Sequence, residues 1–173
     1  MKTWHEYKNE IPLNMVRSWE DELTNSTQWT FSGWSGIPKE PYRHWSSYGE
    51  LVGPIKDIWE CMNYSFKEDG LNLKPSRIIL NLFNFGDSSW IHTDNETPDA
   101  WTVIIYLNSF WDINWGGDTV LVDKDEIIKT FNPTPGKFVA FKSNIEHGAR
   151  PVSREASYPR FAIAFHCKND VHV

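Results

Sequence analysis

The chain has 173 residues, which suits a single domain (1–173) with a sizeable core. Lys and Arg number 17 against 23 Asp and Glu, and no basic cluster appears, so neither a duplex nucleic-acid surface nor a polybasic membrane patch is expected. The ten Trp leave stacking on single-stranded nucleic acid open, although core or pocket positions suit them better. Two distant cysteines, no apolar leader and no membrane-length stretch predict a soluble, cytoplasmic protein.

The first part of the chain, residues 1–74, is predicted to supply supporting helices and an aromatic loop. Residues 11–23 repeat apolar side chains every fourth position, and residues 51–68 carry a second apolar helical face. Residues 28–32 alternate as a strand does. The segment 33–48, rich in Gly, Pro, Ser, Trp and Tyr, is either a substrate lid or an aromatic flap over one end of a sheet.

The second part, residues 75–167, is predicted to consist of short strands. The predicted strands are 77–85, the stretch around His92, 101–107, 118–122, 137–141, 145–148 and 160–166. Helices followed by about seven strands predict an α+β chain, mainly β, in which helices back an antiparallel sandwich or barrel.

His92 and Asp94 are the first candidates for chemistry. On an extended strand, side chains two positions apart point to the same face, so these two aim an imidazole and a carboxylate at one point. They are two of the three ligands in the two-His-one-carboxylate site of non-haem iron, although a strand-end His before a turn Asp fits the pair equally well. His147, between two predicted strands and followed by Gly148, is the candidate third ligand, the alternative being a His in a β-turn.

The last predicted strand carries an arginine on a core-facing position. By alternation Arg160, Ala162, Ala164 and His166 share one face, and the opposite face is aromatic and aliphatic and packs against the helices. A core-facing guanidinium is costly unless a carboxylate meets it, and no neighbouring strand offers one. The planar fork of Arg160 therefore indicates a ligand carboxylate, and the alanines leave room for that ligand.

Several motifs, in this order along the chain, resemble the iron(II)- and 2-oxoglutarate-dependent dioxygenases, most closely the prolyl 4-hydroxylase-like branch. They are Phe83-Asn84-Phe85-Gly86-Asp87, His92-Thr93-Asp94, Tyr106-Leu107-Asn108, Gly116-Gly117-Asp118-Thr119, Pro135-Gly136 to Phe141, His147-Gly148 and Arg160-Phe161-Ala162-Ile163. Each motif is weak alone, whereas the ordered set is specific and covers just over half of the chain.

The resemblance implies a double-stranded β-helix (jelly-roll) core, Fe(II) and 2-oxoglutarate as cofactors and O2 as co-substrate. It implies His92, Asp94 and His147 as iron ligands and catalytic residues. It also implies Arg160 as the partner of the distal carboxylate of 2-oxoglutarate, with Tyr106 assisting. The expected reaction is hydroxylation of a C–H bond in a peptidyl prolyl or small-molecule substrate, with release of succinate and CO2.

The sequence departs from the family pattern in two places. Phe83 stands where the family often has a tyrosine that reaches the metal-bound end of the cofactor, so Asn81 is the candidate for a second anchor. The interval between His147 and Arg160 is also long, and its arginines, Arg150 and Arg154, are rival carboxylate partners, although they lie in a predicted loop.

Four residues are candidates for substrate contact: Trp90, Trp101, Trp115 and His166. The three Trp either line a cleft or serve ordinary packing, and His166 is either a substrate contact or a core histidine. A free amino acid, a nucleotide or another metabolite is an alternative substrate to a prolyl peptide. A non-enzymatic cupin-like metal- or sugar-binding module is the alternative function, but it has no need of Arg160 and Tyr106. A zinc hydrolase would require a general base, and none is evident. The sequence predicts no oligomeric state.

Overall fold

The structure is a computed structural model that describes residues 3–31 and 44–170. Within those residues the chain forms the helices α1 (Leu13–Ser26) and α2 (Gly53–Glu68), a short 3-10 helix (Ile113–Trp115) and ten strands. The strands are β1 (Trp4–Tyr7), β2 (Thr30–Phe31), β3 (Trp45–Gly49), β4 (Leu73–Phe83), β5 (Ala100–Tyr106), β6 (Thr119–Asp123), β7 (Glu126–Phe131), β8 (Phe138–Lys142), β9 (Glu146–Ala149) and β10 (Arg160–Asn169).

The strands form two antiparallel sheets. The larger sheet has the order β1-β8-β5-β10-β4-β3-β2, and the smaller one has the order β7-β6-β9. Buried side chains from both sheets meet in one apolar cluster between them, in which Leu121 and Phe131 of the smaller sheet contact residues of β5, β8 and β10. This is the predicted jelly-roll core in a mainly β, α+β chain, and the predicted fold class is confirmed.

Both helices cover the outer face of the larger sheet. Val16, Trp19 and Leu23 of α1 are buried in the same cluster as the outward-facing side chains of β10. The three helix residues lie about one helical turn apart, so the apolar periodicity of residues 11–23 correctly predicts the face of α1 that packs against the sheet. Neither helix of the described residues has the length and apolarity needed to cross a membrane.

The inward-facing side chains of the larger sheet line up in rows across neighbouring strands. The strand register pairs Arg160 with Phe83, Ala162 with Tyr106 and Asn81, and His166 with Thr102 and Arg77. Because side chains alternate along each strand, the members of each row share one face of the sheet. Arg160 and His166 therefore lie at opposite ends of the inner face of the larger sheet.

The structure also differs from the prediction in its first half. The strand β1 was not predicted, because a four-residue segment near the terminus shows too little alternation to stand out. The strand β3 begins inside the segment predicted as a loop, 33–48, and ends one residue beyond it. Residues 33–43 of that segment lie outside the described residues. The strand predicted at 28–32 is reduced to β2, of which one residue pairs with Trp45.

His92 and Asp94 do not lie on a named strand, contrary to the sequence prediction. His92 forms an isolated antiparallel bridge to His147 of β9, and the amide of Asp94 donates to the carbonyl oxygen of Ser143 at 3.0 Å. The two side chains still converge, because the bridge ties the segment to β9 of the smaller sheet and the hydrogen bond ties it to the residue after β8 of the larger sheet.

Candidate active site

Three side chains converge between the sheets in an arrangement that suits one metal ion. One potential ligand atom from each of His92, Asp94 and His147 lies within 4.8 Å of the other two. Nε2 of His92 is 3.4 Å from Oδ1 of Asp94, and Nε2 of His147 is 3.3 Å from Oδ2. Two imidazoles and one carboxylate on one side of a point leave the other side open, which is the ligand set of non-haem Fe(II) oxygenases.

Backbone carbonyl groups set the orientation of both imidazoles. Nδ1 of His92 donates to the carbonyl oxygen of Trp90 at 2.7 Å, and Nδ1 of His147 donates to that of Ile145 at 2.9 Å. Because a carbonyl oxygen only accepts, the proton lies on Nδ1 in each neutral ring, and Nε2 keeps its lone pair for a metal. Such a partner fixes both the tautomer and the orientation of a metal-binding histidine.

The Asp94 carboxylate is held in its ionised form. Burial alone would raise the pKa of Asp94, but the neighbouring imidazoles of His147 and His92 hold it well below its ordinary value. The hydroxyl of Thr102 on β5 donates to Oδ2 of Asp94 at 2.6 Å, and Thr102 Oγ1 in turn lies 2.9 Å from Oγ of Ser143. The carboxylate is therefore anchored to the larger sheet, whereas the imidazoles belong to the opposite side.

Gly148 permits the close packing that brings His147 beside His92. A Cβ atom at this position would lie 2.9 Å from the carbonyl oxygen of Trp90 and 3.0 Å from that of Ser89. Both neighbours are backbone atoms that cannot move aside as a flexible side chain can. The His147-Gly148 pair in the sequence thus reflects a close approach of two chain segments at the site.

Arg160 is a buried cation without an acidic partner. Its side chain is 3% exposed, and it forms no ion pair with any residue that the structure describes. Nη2 donates to Oγ1 of Thr119 at 3.1 Å, whereas Nε has no hydrogen-bond partner. The guanidinium carbon lies 5.1 Å from the ring centre of Tyr106 and 5.2 Å from that of Phe83. Burial lowers the pKa of Arg160, but an arginine remains charged in a protein.

The hydroxyl of Thr119, next to Arg160, still has a proton to donate. Tyr106 donates to Oγ1 of Thr119 at 2.8 Å, so the Thr119 oxygen accepts from both Tyr106 and Arg160. Its own proton remains available for an acceptor. A carboxylate is the group that satisfies an unpaired guanidinium and an available hydroxyl together, because it presents several lone pairs in one plane. The residues present therefore fit both a metal ion and an acid ligand.

A comparison with protein families identifies the chain. The family model described as "2OG-Fe(II) oxygenase superfamily" matches residues 79–168, just over half of the chain. The chain belongs to this superfamily. Its members use Fe(II) and 2-oxoglutarate, so this protein is a 2-oxoglutarate- and Fe(II)-dependent oxygenase with those two cofactors. No curated protein matches the sequence.

Solved structures of the same fold include enzymes with different reactions. A prolyl-4-hydroxylase from Pseudomonas putida superposes with a TM-score of 0.74 at 16% identity, covering 98% of this chain and 94% of that one. A prolyl hydroxylase from Trichoplax adhaerens, in complex with a hypoxia inducible factor peptide, gives 0.75 at 17% identity over 97% and 84%. An alpha-ketoglutarate-dependent epimerase from nogalamycin biosynthesis gives 0.71 at 12% identity over 96% and 78%. At such identities the likeness concerns the fold.

The remaining predicted site residues are distributed unevenly. His166 lies at the site, with Nδ1 3.7 Å from Oδ2 of Asp94, and its ring contacts the guanidinium of Arg77. Asn81 lies half-buried on the inner face of β4. Trp90 has an exposed side chain, and its carbonyl oxygen accepts the hydrogen bond from Nδ1 of His92.

Two tryptophans play other parts. Trp101 is fully buried in the cluster between the larger sheet and the helices. The expectation that it lines a substrate cleft is wrong, because alternation along β5 turns it away from the face that carries Thr102 and Tyr106. Trp115 packs edge-on against Trp111 and against Phe110 and is 9% exposed.

Sequence reasoning missed three residues that the structure brings to the site: Thr102, Thr119 and His44. Thr102 shares a strand face with Tyr106, so period-two alternation could have found it. Thr119 stands in the Gly116–Thr119 motif but had no assigned part. His44 belongs to the segment predicted as a loop, where no periodicity indicates which way a side chain points.

Proposed function

We propose that this oxygenase hydroxylates a C–H bond of its substrate and releases succinate and CO2, with Fe(II) bound by His92, Asp94 and His147. The observation that carries the proposal is the buried, unpaired guanidinium of Arg160 on the inner face that also faces the three ligands. A binding module that holds only a metal gains nothing from such a cation, which costs free energy until an anion arrives.

In this proposal Arg160, with Thr119 and Tyr106, binds the distal carboxylate of 2-oxoglutarate. The planar fork donates to two carboxylate oxygens, and the surrounding aromatic rings exclude water and strengthen the ion pair. Ala162 and Ala164, the inward-facing residues that follow on β10, are small and leave the space between Arg160 and the metal ligands open.

The metal-binding side chains act by orientation and charge. The carbonyl oxygens of Trp90 and Ile145 keep Nδ1 protonated in the two imidazoles, so that Nε2 faces the metal. Thr102 orients the Asp94 carboxylate through its hydrogen bond to Oδ2. When bound, Fe(II) and 2-oxoglutarate supply the redox chemistry in which O2 oxidises 2-oxoglutarate and the substrate is hydroxylated.

The proposed substrate is a peptidyl prolyl residue or a small molecule. Support for a peptide comes from the shared fold of prolyl hydroxylases, one of them solved with a peptide fragment. The exposed apolar side chains of Trp90 and Ile91, directly before the first ligand, offer a surface that a peptide or a ring system can cover.

The test begins under anaerobic conditions. The protein is mixed with Fe(II) and 2-oxoglutarate, and the expected result is a visible charge-transfer band that neither component gives alone. O2 is then admitted, and succinate is measured with and without a panel of prolyl peptides and small molecules. A correctly metal-loaded protein that gives neither band nor succinate refutes the proposed function.

A further inference from the structure

Two polar atoms at the candidate active site are buried without a partner. Among the described residues, the buried side-chain nitrogen and oxygen atoms without a hydrogen bond are Nε of Arg160, Nδ1 of His44 and Nε1 of Trp101. The last belongs to the cluster beneath the helices, whereas the first two border one aromatic ring. The His44 ring stacks on the Phe83 ring with centroids 4.6 Å apart at 9°, and the guanidinium carbon of Arg160 lies 5.2 Å from the same ring centre.

The strand register explains why His44 reaches this place. Strand β3 pairs antiparallel with β4, and Trp45 pairs with Leu82. One step outward along this ladder, His44 comes opposite Phe83, which is itself the register partner of Arg160 on β10. A row of three side chains therefore crosses the inner face of the sheet, with the Phe83 ring in the middle. Phe83 offers no polar atom to a ligand, whereas its two neighbours each have one unpaired.

We propose that His44 donates a hydrogen bond from Nδ1 to bound 2-oxoglutarate and is a second anchor of this cofactor beside Arg160. This inference rests on the proposed function. A dicarboxylate has enough oxygen atoms to satisfy Nε of Arg160 and Nδ1 of His44 together, and no described side chain satisfies either atom. A His44 that served only as a packing ring would leave a buried polar atom unpaired permanently, which folded proteins rarely do.

The environment keeps His44 neutral. Burial lowers the pKa of His44 to about 4, and the charges of Arg160 and His92 act in the same direction, while hydrogen bonding with Asn81 opposes them. At neutral pH the ring therefore carries one proton, and with that proton on Nδ1 it donates to a carboxylate without placing a second full charge next to Arg160.

The experiment measures cofactor binding, not turnover. Wild type and His44→Phe are loaded with Fe(II) under anaerobic conditions and titrated with 2-oxoglutarate by calorimetry, and metal affinity is measured separately without 2-oxoglutarate. Phenylalanine keeps the stack on Phe83 and removes the donor. Loss of one hydrogen bond to a charged group predicts a Kd for 2-oxoglutarate that is about 10- to 100-fold higher. Metal affinity is expected to stay at the wild-type value.

The matched control is His5→Phe. His5 is also a buried histidine stacked on an aromatic ring, that of Tyr7, but it lies in β1 at the far edge of the larger sheet. This variant is expected to bind 2-oxoglutarate as the wild type does. Where His44→Phe folds poorly, His44→Leu, which also lacks a donor, is expected to show the same loss, and His44→Gln, which keeps a donor, is expected to recover most of the affinity.

The outcomes separate the two proposals. A wild-type protein that binds metal but no 2-oxoglutarate refutes both the proposed function and the proposed role of His44. A wild type that binds 2-oxoglutarate together with a His44→Phe variant of equal affinity refutes the anchor alone. Equal losses in His44→Leu and His44→Gln also refute it, because they show that the shape of the ring matters and the donor does not.

Discussion

Replacement of Arg160 by methionine should make the ligand-free protein slightly more stable while it weakens 2-oxoglutarate binding. Burying a guanidinium without a counter-ion costs on the order of 4 kcal/mol. The hydrogen bond from Arg160 to Thr119 offsets this cost by about 1 kcal/mol. Two contacts with aromatic rings, those of Phe83 and Tyr106, contribute about 1 kcal/mol each. We therefore expect Arg160→Met to raise the free energy of unfolding by about 1 kcal/mol.

Cofactor binding should change in the opposite direction. Removing one partner of a buried, hydrogen-bonded charge pair costs at least about 3 kcal/mol, which is a loss of affinity of at least about 100-fold. The free energy of unfolding is measured by urea titration without metal or 2-oxoglutarate, and affinity by anaerobic calorimetry with Fe(II). Arg150→Met is the control, because Arg150 is exposed in the loop before β10 and was one of the two rival carboxylate partners.

Two results would refute this reasoning about Arg160. Destabilisation of the ligand-free variant by more than about 2 kcal/mol would show that the guanidinium stabilises the fold without any ligand. Affinity of the Met variant within about 3-fold of the wild type would show that the distal carboxylate binds elsewhere.

Three further substitutions test the rest of the site. His92→Ala should abolish stoichiometric Fe(II) binding in an anaerobic metal titration, and unchanged affinity would remove this residue from the ligand set. Thr102→Val, which keeps the shape but loses the donor, should weaken Fe(II) binding by about 10- to 100-fold in the same titration. A smaller change would show that the Thr102 hydroxyl does not orient Asp94 for metal binding. Gly117→Ala places a Cβ 2.9 Å from Cδ of Arg160 and should raise the Kd for 2-oxoglutarate, as calorimetry would show. Gly70→Ala is the control, because Gly70 has a φ of 72° against 71° at Gly117 but has open space around it. It should lower only thermal stability. Equal effects of the two variants on 2-oxoglutarate binding would contradict a steric cause.

The second half of the chain was predictable because its strands alternate regularly. The strand at 160–166 places aromatic and aliphatic side chains on one face and Arg160 on the other, and the structure buries the first set against the helices. The same alternation indicated that Arg160 would lack an acidic partner, since no inward-facing position on the adjacent strands carries Asp or Glu. Hydrophobic periodicity and the cost of a buried charge were enough for this part of the fold and of the candidate site.

The parts that could not be predicted depend on contacts between distant segments. His92 converges with Asp94 outside any regular strand, because the isolated bridge to His147 and the hydrogen bond to Ser143 hold the segment in place. Strand β3 pairs with β4 although the whole of α2 separates them in the sequence, and no local pattern in residues 33–48 predicts that pairing. His44 lies in that segment and was not among the predicted site residues, although long-range pairing places it on Phe83.

The division of labour between the two faces of the larger sheet explains why the candidate site lies where it does. The outer face buries mainly apolar side chains against both helices, and Nε1 of Trp101 is its one described buried side-chain polar atom without a hydrogen bond. The inner face buries Arg160 and Thr102 and half-buries Asn81 and His44, and unpaired polar atoms remain there on Arg160 and His44. Apolar burial on the outer face and in the cluster between the sheets therefore supplies free energy of folding, while the polar part of the inner face reaches its lowest free energy only with a polar ligand bound. An apolar core on one side of a sheet thus allows incomplete hydrogen bonding on the other, and that incompleteness is what a dicarboxylate and a metal ion can satisfy.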